Sequence, residues 1–164
     1  QPRKRLDILI KAAKEMPDVK FFWVGGIPFK NLGADYNAMQ NMIKNAPNNL
    51  TVTGVIPLEN VRDYYVAADV FVLPAMQENH PMCVLEAAGA GLPIILRDIP
   101  QYNDTFKGDA VMAKTDDEFL ELINKLRKDK KAYKKAQLGA EKIAERFDSS
   151  AGAERLVEFY RSLI

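Results

Sequence analysis

Cysteine and histidine are nearly absent, with one of each in 164 residues. A single cysteine excludes an intrachain disulfide and a cysteine-rich zinc site, and a single histidine excludes paired-histidine metal motifs. No apolar run approaches the length of a membrane span and no signal peptide is visible, so the cytoplasm is the expected location. Charge of one sign is also scarce. The 23 basic and 22 acidic residues leave a formal charge of +1, which gives no global reason to expect a nucleic-acid partner. No Gly-x-Gly-x-x-Gly follows a first strand, which disfavours a dinucleotide-binding domain. The lack of clustered aspartates near strand ends argues against a response-regulator receiver. With no repeat, low-complexity tract or linker, residues 1–164 are expected to form one domain. The chain opens on Gln-Pro rather than Met and enters a helix at once, so it is expected to be a fragment of a longer protein.

What is present is organised around residues 70–98. Residues 70–73 form a short apolar run of the kind that makes a strand buried on both faces, and Pro74 ends it. The following loop holds Glu78, Asn79 and His80. Pro81 is suited to open a helix that runs to about Gly89–Gly91, and residues 92–96 are the next buried strand. Glu86 is the one charge between Pro81 and Leu96, on a helix apolar on nearly every side, so it is expected to be packed inside and to need a partner. Helical side chains tilt toward the N-terminus, which aims this carboxylate at the helix mouth. Free N–H groups and the positive dipole end suit an anionic ligand there. Glu78 sits on the loop rimming that mouth. In open parallel sheets, ligands bind at such carboxyl ends of strands.

Elsewhere, residues 5–16 carry Leu6, Leu9, Ile10 and Ala13 at a helical period. Residues 19–24 read as a buried strand closed by Gly25-Gly26, either an ordinary tight turn or a place where backbone approaches a ligand. A loop at 27–34, a helix at 35–45, a strand at 50–53 and a helix at 57–68 follow. In the last of these, Val61, Tyr64, Tyr65 and Ala68 are expected to face the sheet as core. A short strand is expected at 110–113, then helices at 116–128, 130–146 and 149–163. Alternating strands and helices predict an α/β fold: a Rossmann-like parallel sheet covered on both faces, with a helical C-terminal cap. The strands near 20–24, 51–53, 70–73 and 93–96 are expected in one sheet, and the apolar face of the final helix is expected to lack full burial within the chain.

These residues resemble a family. Glu78 and Glu86 form a Glu-x7-Glu pair, and Leu85-Glu86-Ala87-Ala88 is followed by Gly91-Leu92-Pro93-Ile94. Upstream lie Gly54 and the run from Tyr64 to Val70, Tyr-Tyr-Val-Ala-Ala-Asp-Val. The pattern is similar to the C-terminal, donor-binding domain of retaining GT-B glycosyltransferases of family 4, over essentially the whole chain. Arg3-Lys4-Arg5-Leu6-Asp7 resembles that family's Lys-Gly-Leu-Asp opening, with Arg5 where glycine is common. Asn79 and His80 depart from its usual glycine and aromatic. The run from Leu96 to Tyr102 is similar to that of bacterial diacylglycerol glucosyltransferases.

The resemblance implies a nucleotide-sugar donor, UDP-glucose, without a metal or other cofactor. It implies that Glu86 binds the ribose hydroxyls and that Glu78 contacts the donor sugar as the catalytic-site carboxylate. Backbone N–H groups at Asn79, His80, Pro81, Met82 and Cys83 would surround the diphosphate, apart from proline, which has no N–H. Lys4 would neutralise the diphosphate, Gly25-Gly26 would form the first glycine turn, and the segment around Val55 would bracket the base. The acceptor, lipid or glycan, would belong to an N-terminal domain absent from this chain, with peripheral contact at the inner face of the membrane in the full-length protein.

Several features also have plainer readings. His80 either touches the sugar or caps the helix with Asn79, Cys83 is a small buried apolar residue, and the lysine-rich stretch from Lys125 to Lys135 is a solvated face. Two other functions fit the fold: half of a sugar-nucleotide epimerase, or a nucleotide-binding regulatory module without transferase activity.

Overall fold

The structure, a computed structural model of the chain, describes residues 2–26 and 36–163. The loop expected at 27–34 lies outside the described residues. A 3-10 turn, Pro2–Lys4, leads into α1 (Leu6–Glu15), β1 (Phe21–Trp23), α2 (Tyr36–Lys44), β2 (Leu50–Val52), α3 (Leu58–Ala67), β3 (Phe71–Leu73), α4 (Met82–Gly89) and β4 (Ile94–Arg97). A second 3-10 turn, Pro100–Tyr102, precedes β5 (Val111–Ala113), α5 (Asp116–Lys128), α6 (Lys130–Arg146) and α7 (Ser149–Arg161). Three of the helices start on side-chain caps. Thr115 accepts from the Glu118 N–H, Asp129 from those of Lys131 and Ala132, and Asp148 from those of Ser150 and Ala151.

Among the described residues every strand pair is parallel, but the strands form two sheets. β1 pairs with β2 (Phe21 opposite Leu50), while β4 lies between β3 (Ile94 opposite Phe71) and β5 (Ile95 opposite Val111). The expectation of one continuous sheet is corrected here: β1 and β3 share no ladder. A groove of about 1460 Å³ runs between them, lined by Phe22 and Trp23 on one side and by Val70 and Val72 on the other. That space explains a second departure. The strand expected to be buried on both faces is only half-buried along β3, whereas β4 is buried at all four positions.

β4 divides the core by its period of two. Ile95 joins Leu6, Leu9, Phe21, Leu50 and Phe119 in one cluster. Ile94 and Leu96 point the other way, to Val84, Ala88, Tyr102, Phe106 and Ile143. Helices therefore cover both faces of the three-stranded sheet, and α1 packs on both the two-stranded sheet and α5. Contrary to the sequence reading, α3 buries none of its residues; Val61, Tyr64 and Tyr65 are half-buried and Ala68 is exposed. The apolar face of α7 lacks burial, as expected, with Leu156, Phe159 and Tyr160 all more than half exposed.

Candidate functional site at the carboxyl ends of the strands

The groove extends along the strands and reaches past the ends of β1, β2 and β3, where Val24, Gly25, Gly26, Val55 and Pro74 line it. After β1, Gly25 takes φ 131°, a region L side chains avoid, and its N–H donates to Thr53 Oγ1 at 3.2 Å. A Cβ on Gly26 would lie 2.9 Å from the Val55 backbone nitrogen, so the residue after β1 packs directly on the segment after β2. Val55 itself is 83% exposed.

Lys4 reaches the site from the first 3-10 turn. The Met76 N–H, beyond β3, donates to the Arg3 carbonyl at 2.8 Å and fastens this turn to the loop after β3. Arg5, at the position where the family resemblance has glycine, adopts the left-handed conformation (φ 59°, ψ 50°) that redirects the chain into α1. Its guanidinium bonds Asp7 and Asp116, and both acids push its pKa still higher. Asp116 also accepts from the buried Arg97 at 2.6 Å. Its carboxyl is held below the usual carboxylate range, chiefly by Arg5 and then, against partial burial, by Arg97.

The two glutamates differ in their surroundings. Glu78, with its side chain 11% exposed, forms an ion pair with Lys4, so the groups read as holding the sugar and the diphosphate hold each other. Glu86 corrects the sequence reading: it is exposed, not packed inside. α4 buries Val84, Ala87 and Ala88, and at 100° per residue Glu86 projects from the side opposite Val84, into the groove. Glu86 Oε2 accepts a hydrogen bond from the Tyr65 hydroxyl at 2.8 Å. Burial first, and then the Glu86 carboxylate, raise the Tyr65 pKa and keep that proton in place. Sequence reasoning missed this role by assigning Tyr65 to the core; the usable signal was that a tyrosine hydroxyl near a core seeks a polar partner.

Of the residues singled out by sequence, Lys4, Gly25, Gly26, Val55, Cys83 and Glu86 line the groove. Glu78, Asn79, His80, Pro81 and Met82 stand outside its lining, on the loop leading into α4 and on its first turn. Pro81 is the N-cap residue of α4, and no side chain caps that helix, so its first N–H groups keep their anion-binding potential. His80 does not cap it either. The imidazole stacks on Phe106 (5.5 Å between centroids) and tilts against Phe147 (5.2 Å), anchoring the loop to the end of α6. Cys83 is half-buried, and burial pushes its thiol up to about 11, which keeps it protonated at neutral pH. Among the described residues no group of three or more His, Cys, Asp or Glu side chains is placed to hold a metal ion, and no helix is long and apolar enough to cross a membrane.

The chain is 31% identical over 160 residues to the alpha-galactosylglucosyldiacylglycerol synthase of Streptococcus pneumoniae, spanning 98% of this chain and 43% of that protein. It is 30% identical over 126 residues to the processive diacylglycerol alpha-glucosyltransferase of Acholeplasma laidlawii, spanning 76% of this chain and 37% of that protein. The chain thus spans less than half the length of these relatives. Among solved structures, the sucrose-phosphate synthase of Thermosynechococcus elongatus matches with a TM-score of 0.80 at 22% identity, over 99% of this chain and 43% of that one. Anabaena Alr3699/HepE, solved in complex with UDP-glucose, matches with a TM-score of 0.80 at 19% identity, over 99% of this chain and 46% of that one. At those identities the structures speak for the fold alone, that of one half of a GT-B glycosyltransferase. The family profile described as "Glycosyl transferases group 1" matches residues 1–143, most of the parallel α/β framework and every residue named around the groove, and the chain belongs to that family.

Proposed function

We propose that this chain is the donor-binding half of a retaining glycosyltransferase that transfers a hexose, glucose from UDP-glucose, to a lipid or glycan acceptor. The observation that carries the reading is what lies in and beside the groove: Lys4 and a carboxylate held by Tyr65 line it, and the uncapped start of α4 and Glu78, paired with Lys4, stand next to it after β3. The named activities of the pneumococcal and Acholeplasma relatives support a diacylglycerol-type lipid as acceptor.

In this reading Glu86 accepts from the ribose hydroxyls and Val55 brackets the base through backbone groups. Gly25 and Gly26 let the chain pass close to the donor. Backbone N–H groups at the start of α4, with Lys4, take the diphosphate. Their positive charge stabilises the leaving group as the anomeric carbon becomes oxocarbenium-like, so no metal or other cofactor is needed. Glu78, released from Lys4 when the lysine turns to the diphosphate, contacts the sugar.

The test compares two ligands in two variants. Glu86→Ala weakens UDP and UDP-glucose alike, by roughly tenfold to a hundredfold, because the ribose is common to both. Glu78→Ala weakens UDP-glucose and leaves UDP unchanged or bound more tightly, since Lys4 no longer has to leave a partner. Calorimetry on cooperatively melting variants reads both. Equal losses for the two ligands in Glu78→Ala would reverse the assignment of the sugar end. No loss in either variant would remove the transferase reading and favour a nucleotide-binding module.

A further inference from the structure

We infer that Tyr65 is a positioning residue for the donor site: its hydroxyl fixes the Glu86 carboxylate so that the remaining oxygen is presented to a ribose diol. The inference rests on the assignment of Glu86 to the ribose and adds a residue outside the Glu-x7-Glu pair. Glu86 is exposed on α4, and a glutamate in that position is otherwise free to sample several rotamers. Tyr65 comes from a different element, α3, and its ring is steadied against Phe71 with centroids 6.1 Å apart. The hydroxyl donates to Oε2 at 2.8 Å, which occupies one carboxylate oxygen. Oε1 then keeps its lone pairs for a ligand, and a carboxylate accepts but never donates. The hydroxyl carries one proton, retained because burial and Glu86 disfavour its loss, so it acts on Glu86 only as a donor.

Both Tyr65 and Glu86 line the groove, and their hydrogen bond is exposed. A nucleotide covering the pair would exclude water and strengthen the bond when the carboxylate is in use. The same tyrosine is therefore worth more to a ligand with vicinal hydroxyls than to one without them. This separates positioning from ordinary packing, because a packing role is indifferent to what the ligand carries at its ribose.

The experiment measures binding of uridine, adenosine and guanosine diphosphates, each beside its 2′,3′-dideoxy form, to the chain and to Tyr65→Phe, Glu86→Gln and the double variant. Phenylalanine keeps the ring against Phe71 and removes one partly exposed oxygen, so the fold is retained, which a thermal melt checks. The chain is expected to prefer the ribose form of the nucleotide it binds best. Tyr65→Phe lowers that preference by about threefold to tenfold with the dideoxy affinity unchanged. Glu86→Gln also lowers it, and adding Tyr65→Phe to Glu86→Gln costs less than Tyr65→Phe alone. Tyr65→Phe with the preference intact, or with equal losses for both sugar forms, overturns the positioning role while a loss in Glu86→Gln leaves the donor-site reading standing. No ribose preference in the unmodified chain overturns the Glu86 assignment, and this inference with it.

Discussion

Arg5 offers a direct measurement of how the backbone that carries Lys4 is held. Among the described residues it is the one non-glycine with positive φ, at φ 59° and ψ 50°. That conformation costs an L residue about 1–2 kcal/mol, and glycine escapes most of the cost. Against it stand the ion pairs from Arg5 to Asp7 and Asp116, whose side chains are 51% and 42% exposed. Solvent screening limits each to about 0.2–1 kcal/mol. Arg97 keeps hold of Asp116 when Arg5 is removed, and Asp7, 51% exposed, is left to solvent, which costs little. Arg5→Ala loses the pairs and retains the strain, for a destabilisation of about 0.5–2 kcal/mol. Arg5→Gly loses the same pairs but relieves the strain, less the extra freedom glycine has when unfolded. It should lie above Arg5→Ala by about 1 kcal/mol. Urea denaturation reads the order as a shift in midpoint at unchanged slope. Repeating it in high salt should narrow the gap between the parent chain and Arg5→Ala, because screening weakens the pairs, and should leave the gap between Arg5→Ala and Arg5→Gly, a backbone term, unchanged. If Arg5→Ala proves as stable as Arg5→Gly, the left-handed turn is not what links Lys4 to α1.

Two further outcomes test the framework around the site. Gly139→Ala on α6 gains about 1 kcal/mol of helix propensity. Its Cβ, however, would fall 2.0 Å from the Asp109 carbonyl oxygen, so backbone must move. Overpacking of that kind costs about 1–3 kcal/mol or more, and a lowered melting temperature is expected; a raised one would refute the close approach of α6 to the segment before β5. Asp116 predicts acid sensitivity. Its folded pKa lies below the unfolded value, chiefly through Arg5, so its stabilisation is present above about pH 4 and is lost as pH falls through the folded pKa. Denaturation midpoints between neutral pH and pH 3 should show this loss, and Arg5→Ala should flatten it.

The sequence by itself determined the elements whose signals are local. α5 and α6 have the bounds expected from the sequence, and Thr115 and Asp129 make their cap bonds within three residues. The alternation of strand and helix was likewise legible, as was the fold that followed from the Glu-x7-Glu resemblance, and the parallel pairs agree with it. Arg5 could be seen to replace a glycine, but only the backbone angle shows that its position demands the left-handed turn.

Tertiary structure decided what depends on partners distant in sequence. The division into two sheets turns on whether β1 meets β3, and two apolar runs read alike whether they pair with each other or face a groove. Glu86 looked buried because its neighbours on α4 are apolar, yet an eight-residue helix buries only the side that meets the core, and the opposite side faces the groove. Lys4 and Glu78 lie 74 residues apart and Tyr65 and Glu86 lie 21 apart. No cap or hydrophobic period spans such separations. A charged or hydroxyl side chain announces that it needs a partner, but the folding of the chain around β3 and α4 decides which partner it finds.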